Sequence, residues 1–386
     1  MTQLRIPAVY MRGGTSKGVF FIAGDLPSDV AERDRILMRV IGSPDRYGKH
    51  IDGMGGATSS TSKVVIVSRS SREDCDVDYL FGQVGIDRPM IDWSGNCGNL
   101  TAAVGPFAIS SGLVNATTNG VATVRIWQAN IARKIVAHVP MKHGAVVEDG
   151  DFELDGVAFP SAEIKIEFID PAADDGDAGA AGAMFPTGRR IDVLDVPGIG
   201  RVEATLINVG NPTIFIDASV LGLTGTELQG DVNGNASLLA KAEAIRAMSS
   251  VAMGLASSVD EATSKRPHTP KLAFIARPAA YVASDGKKID PGSIDVLARI
   301  FSMGMLHHAI TGTGAVALAA AAAIPGTIVS RIVEATVDGT VRFGHPSGSL
   351  TVGAETIERD GDWTVTKVTM SRSARRLMEG WVRVPR

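Results

Sequence analysis

Residues 95–105 read GNCGNLTAAVG, and residues 310–320 read ITGTGAVALAA. Each is a glycine-punctuated turn that feeds an alanine-rich run, apolar nearly all round. A helix without a polar face is buried on every side, so 98–111 and 314–323 are expected as enclosed helices. The segments around them are of β type: 8–11, 19–22, 64–67, 123–127, 164–168, 201–209, 213–216, 271–276, 340–344 and 363–370. The stretch IKIEF at 164–168 alternates apolar and polar residues, as a half-buried strand does. Two buried helices, each set among strands, predict an α/β (α+β) chain in which two sheets each wrap a central helix. The likeness of the two turns hints at related halves, although alanine-rich segments resemble one another easily.

Two further helices are expected at 29–41 and 238–255, and 290–310 reads as one helix or two with Pro291 near the start. The acidic, small-residue stretch DPAADDGDAGAAG at 170–182 reads as an exposed loop or linker near a domain junction. At 386 residues with 45% hydrophobic, the chain exceeds the usual size of one core, so two domains are expected.

Charge excludes several function classes. Lys and Arg number 38 against 42 Asp and Glu, a net of −4, which leaves no electrostatic footprint for nucleic acid or an anionic membrane. The opening residues lack the apolar core of a signal peptide, and the apolar run 315–324 is too short to cross a bilayer. A cytoplasmic protein is therefore expected. Two cysteines make no disulfide framework. Seven scattered histidines show no CxxC or HExxH spacing, so a metal is disfavoured.

Three stretches offer chemistry. Cys97, between glycines and just before a helix, would have its thiol and any bound carboxylate facing free N–H groups, which favour anions. Cys75 sits in SREDCD, where neighbouring acids raise a thiol pKa. Lys63 follows the hydroxyl run Thr58, Ser59, Ser60, Thr61 and Ser62 at the mouth of an apolar strand. Desolvation there moves an amine toward a useful proton-transfer range, while a solvated loop with a surface lysine is the plain alternative. Arg12, in MRGGTSKG, either grips a carboxylate or simply marks a turn between strands 8–11 and 19–22. Lys271, Ser302, His307, His308 and His345 adjoin apolar segments, where caps and turns are the commoner roles. Together these residues suggest proton transfer on a carboxylated substrate.

The motifs MRGGTSKGVFF, DGMGGATSSTSK and DWSGNCGNLTAAVG resemble the PrpF-like family. The likeness continues through VRIWQANI, FPTG, GNPTIF, HTPK, SMGMLHHA, FGHPSG and MSRSARRLMEG, and so covers essentially the whole chain. It implies the diaminopimelate epimerase fold: two similar domains, here 1–188 and 189–375, with a strand at about 376–386 returning to the first and an active site in the interdomain cleft. Epimerases of that fold use one cysteine from each half. Here the second half reads Ile310-Thr311-Gly312-Thr313-Gly314, with a threonine where the partner thiol would sit. A hydroxyl is too weak an acid to replace it.

The family's catalytic pair maps onto Lys63 and Cys97. Its substrate contacts map onto Arg12, Ser59, Ser60, Thr61, Ser62, Lys271, Ser302 and His307. The implied activity is a cofactor-free proton shift in a small unsaturated tricarboxylate, foremost the cis–trans isomerisation of 2-methylaconitate. Tautomerisation of 4-oxalomesaconate and isomerisation of methylitaconate or aconitate are the alternatives within the class. A non-catalytic helper of a dehydratase is the alternative outside it. A nicotinamide enzyme is disfavoured because no GxGxxG joins a strand to a helix. A homodimer is the default assembly.

Overall fold

Strand Lys63–Arg69 has its first five residues buried, and alternation decides what each face meets. Val64 and Ile66 join Val19, Phe21 and Val84 in a core covered by Ile36, Leu37, Val40 and Ile41 of helix Val30–Ile41. That helix begins where Asp29 accepts the Glu32 N–H and ends at a left-handed Gly42. Lys63, Val65 and Val67 therefore face the opposite side. On that side Phe20 meets Phe107 of helix Thr101–Ser110, with ring centroids 5.4 Å apart. Eight of the ten residues of this helix are buried. It packs on strands Gln3–Gly13, Gly120–Gln128, Arg133–Lys142 and Ala374–Pro385. Gly105 permits the approach, since a Cβ there would lie 2.8 Å from Val139 Cγ2.

The structure is a computed structural model describing residues 3–172, 183–333 and 339–385; most of the acidic stretch, 173–182, lies outside the described residues. In the first unit the strand order is Ala374–Pro385, Gln3–Gly13, Ser16–Ile22, Lys63–Arg69, Val77–Val84, Gly120–Gln128, Arg133–Lys142. Pairing is parallel between the strands beginning at Ser16 and Lys63, and again between those beginning at Val77 and Gly120; it is antiparallel elsewhere.

The second unit repeats this pattern with Gly200–Val209, Asn211–Asp217, Lys271–Ala276, Val296–Ser302, Thr340–His345 and Gly348–Arg359. Its pairings run antiparallel, parallel, antiparallel, parallel, antiparallel. Leu272 and Phe274 pack with Leu238, Ala242 and Ile245 of helix Ala236–Ala252. Helix Gly312–Ala323, with eleven of its twelve residues buried, packs on the strands beginning at Gly200, Asn211, Thr340 and Gly348. The chain is thus mixed α/β, with each unit's sheet folded around one apolar helix.

Two expectations are corrected. Residues 290–310 are not helical: a 3-10 turn at Pro291–Ser293 leads into strand Val296–Ser302, every residue of which is buried. A central strand covered on both faces loses the alternation of apolar and polar residues, and periodicity cannot separate it from a buried helix.

The division of the chain also falls elsewhere. The compact units are Met1–Glu167 with Ser371–Arg386, and Phe168–Met370, in place of boundaries after 188 and 375. Hydrogen bonds give the reason. Pro171 O accepts from Gly210 N, and Met184 O from Asn208 N, which ties the segment before residue 188 to the second sheet. Ser373 O accepts from Gly14 N, and Ala374 pairs with Gly13, which ties the segment after 370 to the first. No helix among the described residues is long and apolar enough to cross a membrane.

Candidate active site

Lys63 opens its strand on the face of the central helix, and its side chain is buried. Nζ donates to Gln83 Oε1 at 2.7 Å, and Gln83 Nε2 donates to Ser62 O at 3.0 Å. The ring of Phe81 lies 5.0 Å from Nζ, a cation–π contact. Burial holds the Lys63 pKa below the ordinary lysine value, and the adjacent Cys97 opposes that shift. Both Gln83 and Phe81 come from strand Val77–Val84, whose Val84 belongs to the opposite face.

Cys97 lies one turn ahead of the helix that begins at Thr101. Its Sγ accepts the Leu100 N–H at 3.5 Å, and its carbonyl accepts Thr101 N and Thr101 Oγ1, each at 3.0 Å. Tyr79 OH also donates to Cys97 O, at 3.4 Å, and the Tyr79 pKa is pushed well up, by burial first and then by Cys97. The thiol is therefore held by the Leu100 N–H just before a helix and is a neighbour of a buried amine. Cys75 is a contrast: burial first, then Asp74, pushes its thiol pKa up.

The hydroxyl run is folded largely onto itself. Thr58 Oγ1 bonds Ser60 Oγ at 3.0 Å and Thr61 Oγ1 at 2.8 Å, and the Lys17 N–H reaches Ser60 O. Ser62 Oγ lies 3.3 Å from His50 Nδ1, which also accepts the Ala57 N–H at 3.2 Å. Ser59 is half-buried in the same turn. Arg12 serves as a brace: Nη1 donates to Gly14 O, Ser373 O and Ser373 Oγ, and Nη2 to Ser161 Oγ.

The second unit carries its own cluster. Lys271 Nζ donates to Ser302 Oγ at 3.0 Å and lies 3.0 Å from His268 Nδ1, with all three residues buried. His307 Nδ1 accepts the Ala309 N–H at 3.0 Å, and its ring stacks on His308 at 4.6 Å. Burial lowers the His308 pKa, which favours a neutral ring. His345 Nδ1 accepts the Ser347 N–H, a turn-forming role. The structure thus groups Lys63 with Cys97 in one unit, and Lys271 with Ser302 in the other. Among the described residues no three His, Cys, Asp or Glu side chains converge as metal ligands.

Sequence reasoning missed Gln83, Tyr79 and His268. For Gln83 the signal was present, since a lone amide in the strand VDYLFGQV must find a partner when buried. Thr311 Oγ1 accepts the Gly314 N–H and Thr311 O the Ala315 N–H, which are the bonds Cys97 makes three and four residues on. Thr311 is therefore the counterpart of Cys97, a threonine where a partner thiol would sit.

Comparison with known proteins gives the family. The chain is 61% identical to 2-methyl-aconitate isomerase of Shewanella oneidensis, over 100% of this chain and 98% of that protein. It is 60% identical to the protein of the same name from Cupriavidus necator, over 99% and 98%. The crystal structure of a methylitaconate-delta-isomerase matches with a TM-score of 0.76 at 40% identity, covering 100% of this chain and 97% of that one. The family model described as PrpF protein matches residues 3–385, and the chain therefore belongs to the PrpF family of isomerases.

Proposed function

We propose that this chain interconverts the cis and trans forms of 2-methylaconitate by a proton shift carried out by Lys63 and Cys97. The observation that carries the substrate is the full-length, 61% identical relative of that name. The buried amine beside a thiol supports the reaction type. A base takes a proton from the carbon next to the C=C–carboxylate unit, and the C–H electron pair spreads into a dienolate. The former double bond loses its order and rotates. Return of a proton to carbon restores the alkene, so no atom or electron is gained or lost overall.

Lys63 suits the base, because burial makes the neutral amine available at lower pH than in water. Cys97 suits the donor, or the group that steers reprotonation. Lys271, with Ser302 and His307, supplies hydrogen-bonding groups for the substrate's carboxylates, where charge develops. Proton NMR of 2-methylaconitate in D2O, with wild type and Cys97→Ser in parallel, tests the reading. Isomerisation with deuterium uptake, lost in the variant, is the expected result. The absence of both isomerisation and exchange would overturn the substrate, and turnover of methylitaconate instead would reassign it.

A further inference from the structure

We propose that Gln83 is the positioning residue of Lys63, orienting the amine through a neutral acceptor that leaves it free to exchange its proton. This rests on the reading of Lys63 as a proton-transfer group.

The partners fix which way the amide points. Lysine nitrogen has no acceptor role when protonated and Ser62 O has no donor role, so Oε1 faces Nζ and Nε2 faces Ser62. Lys63 and Gln83 are direct partners in the antiparallel register. One amide therefore holds the lysine head group and the peptide carbonyl immediately before it. Gln83 is 1% exposed, so water does not substitute for it.

The second unit repeats the device. Continuing the Ala273–Ile300 register sets Lys271 opposite Ser302, and Ser302 Oγ accepts a hydrogen bond from Lys271 Nζ. Both units meet a buried lysine at this position with an uncharged oxygen. A carboxylate would hold Nζ equally well, but it would stabilise the ammonium and withhold the proton-accepting form.

The titratable groups around Lys63 are few. Cys97 adjoins it, Tyr79 lies on the same face of the strand Val77–Val84, and His50 is reached through Ser62 Oγ. Asp92 pairs with Gln83 on its other side and directs Oδ1 to the Ser94 N–H.

The experiment follows Lys63 by NMR of lysine labelled with 13C at Cε, assigned with Lys63→Met, in wild type, Gln83→Glu and Gln83→Met. Its titration is expected to move up by about one pH unit or more in Gln83→Glu, as for an amine given an adjacent carboxylate. It is expected to move down in Gln83→Met, with kcat on 2-methylaconitate falling about tenfold or more in both and KM little changed. Superimposable titrations in all three proteins would overturn the proposal. Should the titrations move while wild type fails to turn over 2-methylaconitate, the role of Gln83 as the holder of Lys63 stands and the substrate reading falls.

Discussion

Lys63 and Lys271 stand at the same position of two repeating strand patterns. Each opens a strand that pairs parallel with the second arm of a hairpin and antiparallel with the strand that follows. Each donates to an oxygen on that following strand, Gln83 Oε1 at 2.7 Å or Ser302 Oγ at 3.0 Å. Parity explains why both are buried, because the next residues, Val64 and Leu272, face the outer helix. The units diverge at the turn before the central helix, where Cys97 in one corresponds to Thr311 in the other. A thiol exchanges protons near neutral pH and a hydroxyl does not, so only the first of these two turns sets a proton-exchanging side chain in its lysine's unit.

That asymmetry predicts how the second lysine responds to substitution. Lys271→Met and Ser302→Ala should raise KM for 2-methylaconitate, by about 10–100-fold for the lysine, the worth of a charge-assisted hydrogen bond. In both, kcat should change far less. Steady-state kinetics separates the two parameters. A collapse of kcat at unchanged KM would make Lys271 a second proton-transfer group.

Lys63→Ala should cut kcat by about a thousandfold, the range of a lost general base. Binding of an unreactive tricarboxylate analogue, measured by calorimetry, should survive. Stability carries a second signature. Burial lowers the folded-state pKa of Lys63 below its unfolded value. Between the two values the unfolded chain binds more protons, so the penalty is complete below the folded pKa and fades as pH rises toward the unfolded one. The melting temperature of wild type relative to Lys63→Met should therefore climb with pH through the alkaline range. A flat difference would show that the amine is solvated.

Much of this was legible in the residues, for local reasons. The two apolar helices announced themselves because nothing polar interrupts 314–323, and Cys97 stood out as a thiol among glycines. Strand Val296–Ser302 was not legible, because burial on both faces removes the alternation that marks a strand. The Ser62 hydroxyl bonds His50, twelve residues away, a partner no local pattern names. Arg12 left two readings open, a carboxylate grip or a turn residue, and its bond to Ser373 near the other end of the chain belongs to no local pattern. Long-range pairing of this kind is fixed by topology, and only the fold reveals it.

The Arg12 brace makes its own prediction. Arg12→Gln should lower stability by about 2 kcal/mol, since Nη1 serves three oxygens that then lose a charged donor. Chemical denaturation would show it as a lower midpoint, together with any rise in KM. An unchanged midpoint with a raised KM would return Arg12 to a purely substrate-holding role.

Gly13→Ala probes how tightly the thiol is placed. A Cβ at Gly13 would lie 2.7 Å from Asn99 O and 2.9 Å from Leu100 Cα. Both are backbone atoms, which cannot swing aside as a side chain would. The turn must shift, and Leu100 is the residue whose N–H holds Cys97 Sγ. Overpacking of this kind costs about 1–3 kcal/mol, and displacing a reacting group by about 1 Å costs about a hundredfold in rate. Gly13→Ala should therefore lose kcat as well as stability. Gly24→Ala, with nothing within 4 Å of the new methyl, should lose neither. If Gly13→Ala keeps wild-type kcat while its melting temperature falls, the position of the thiol does not depend on this hairpin, and the Leu100 N–H bond is not what sets it.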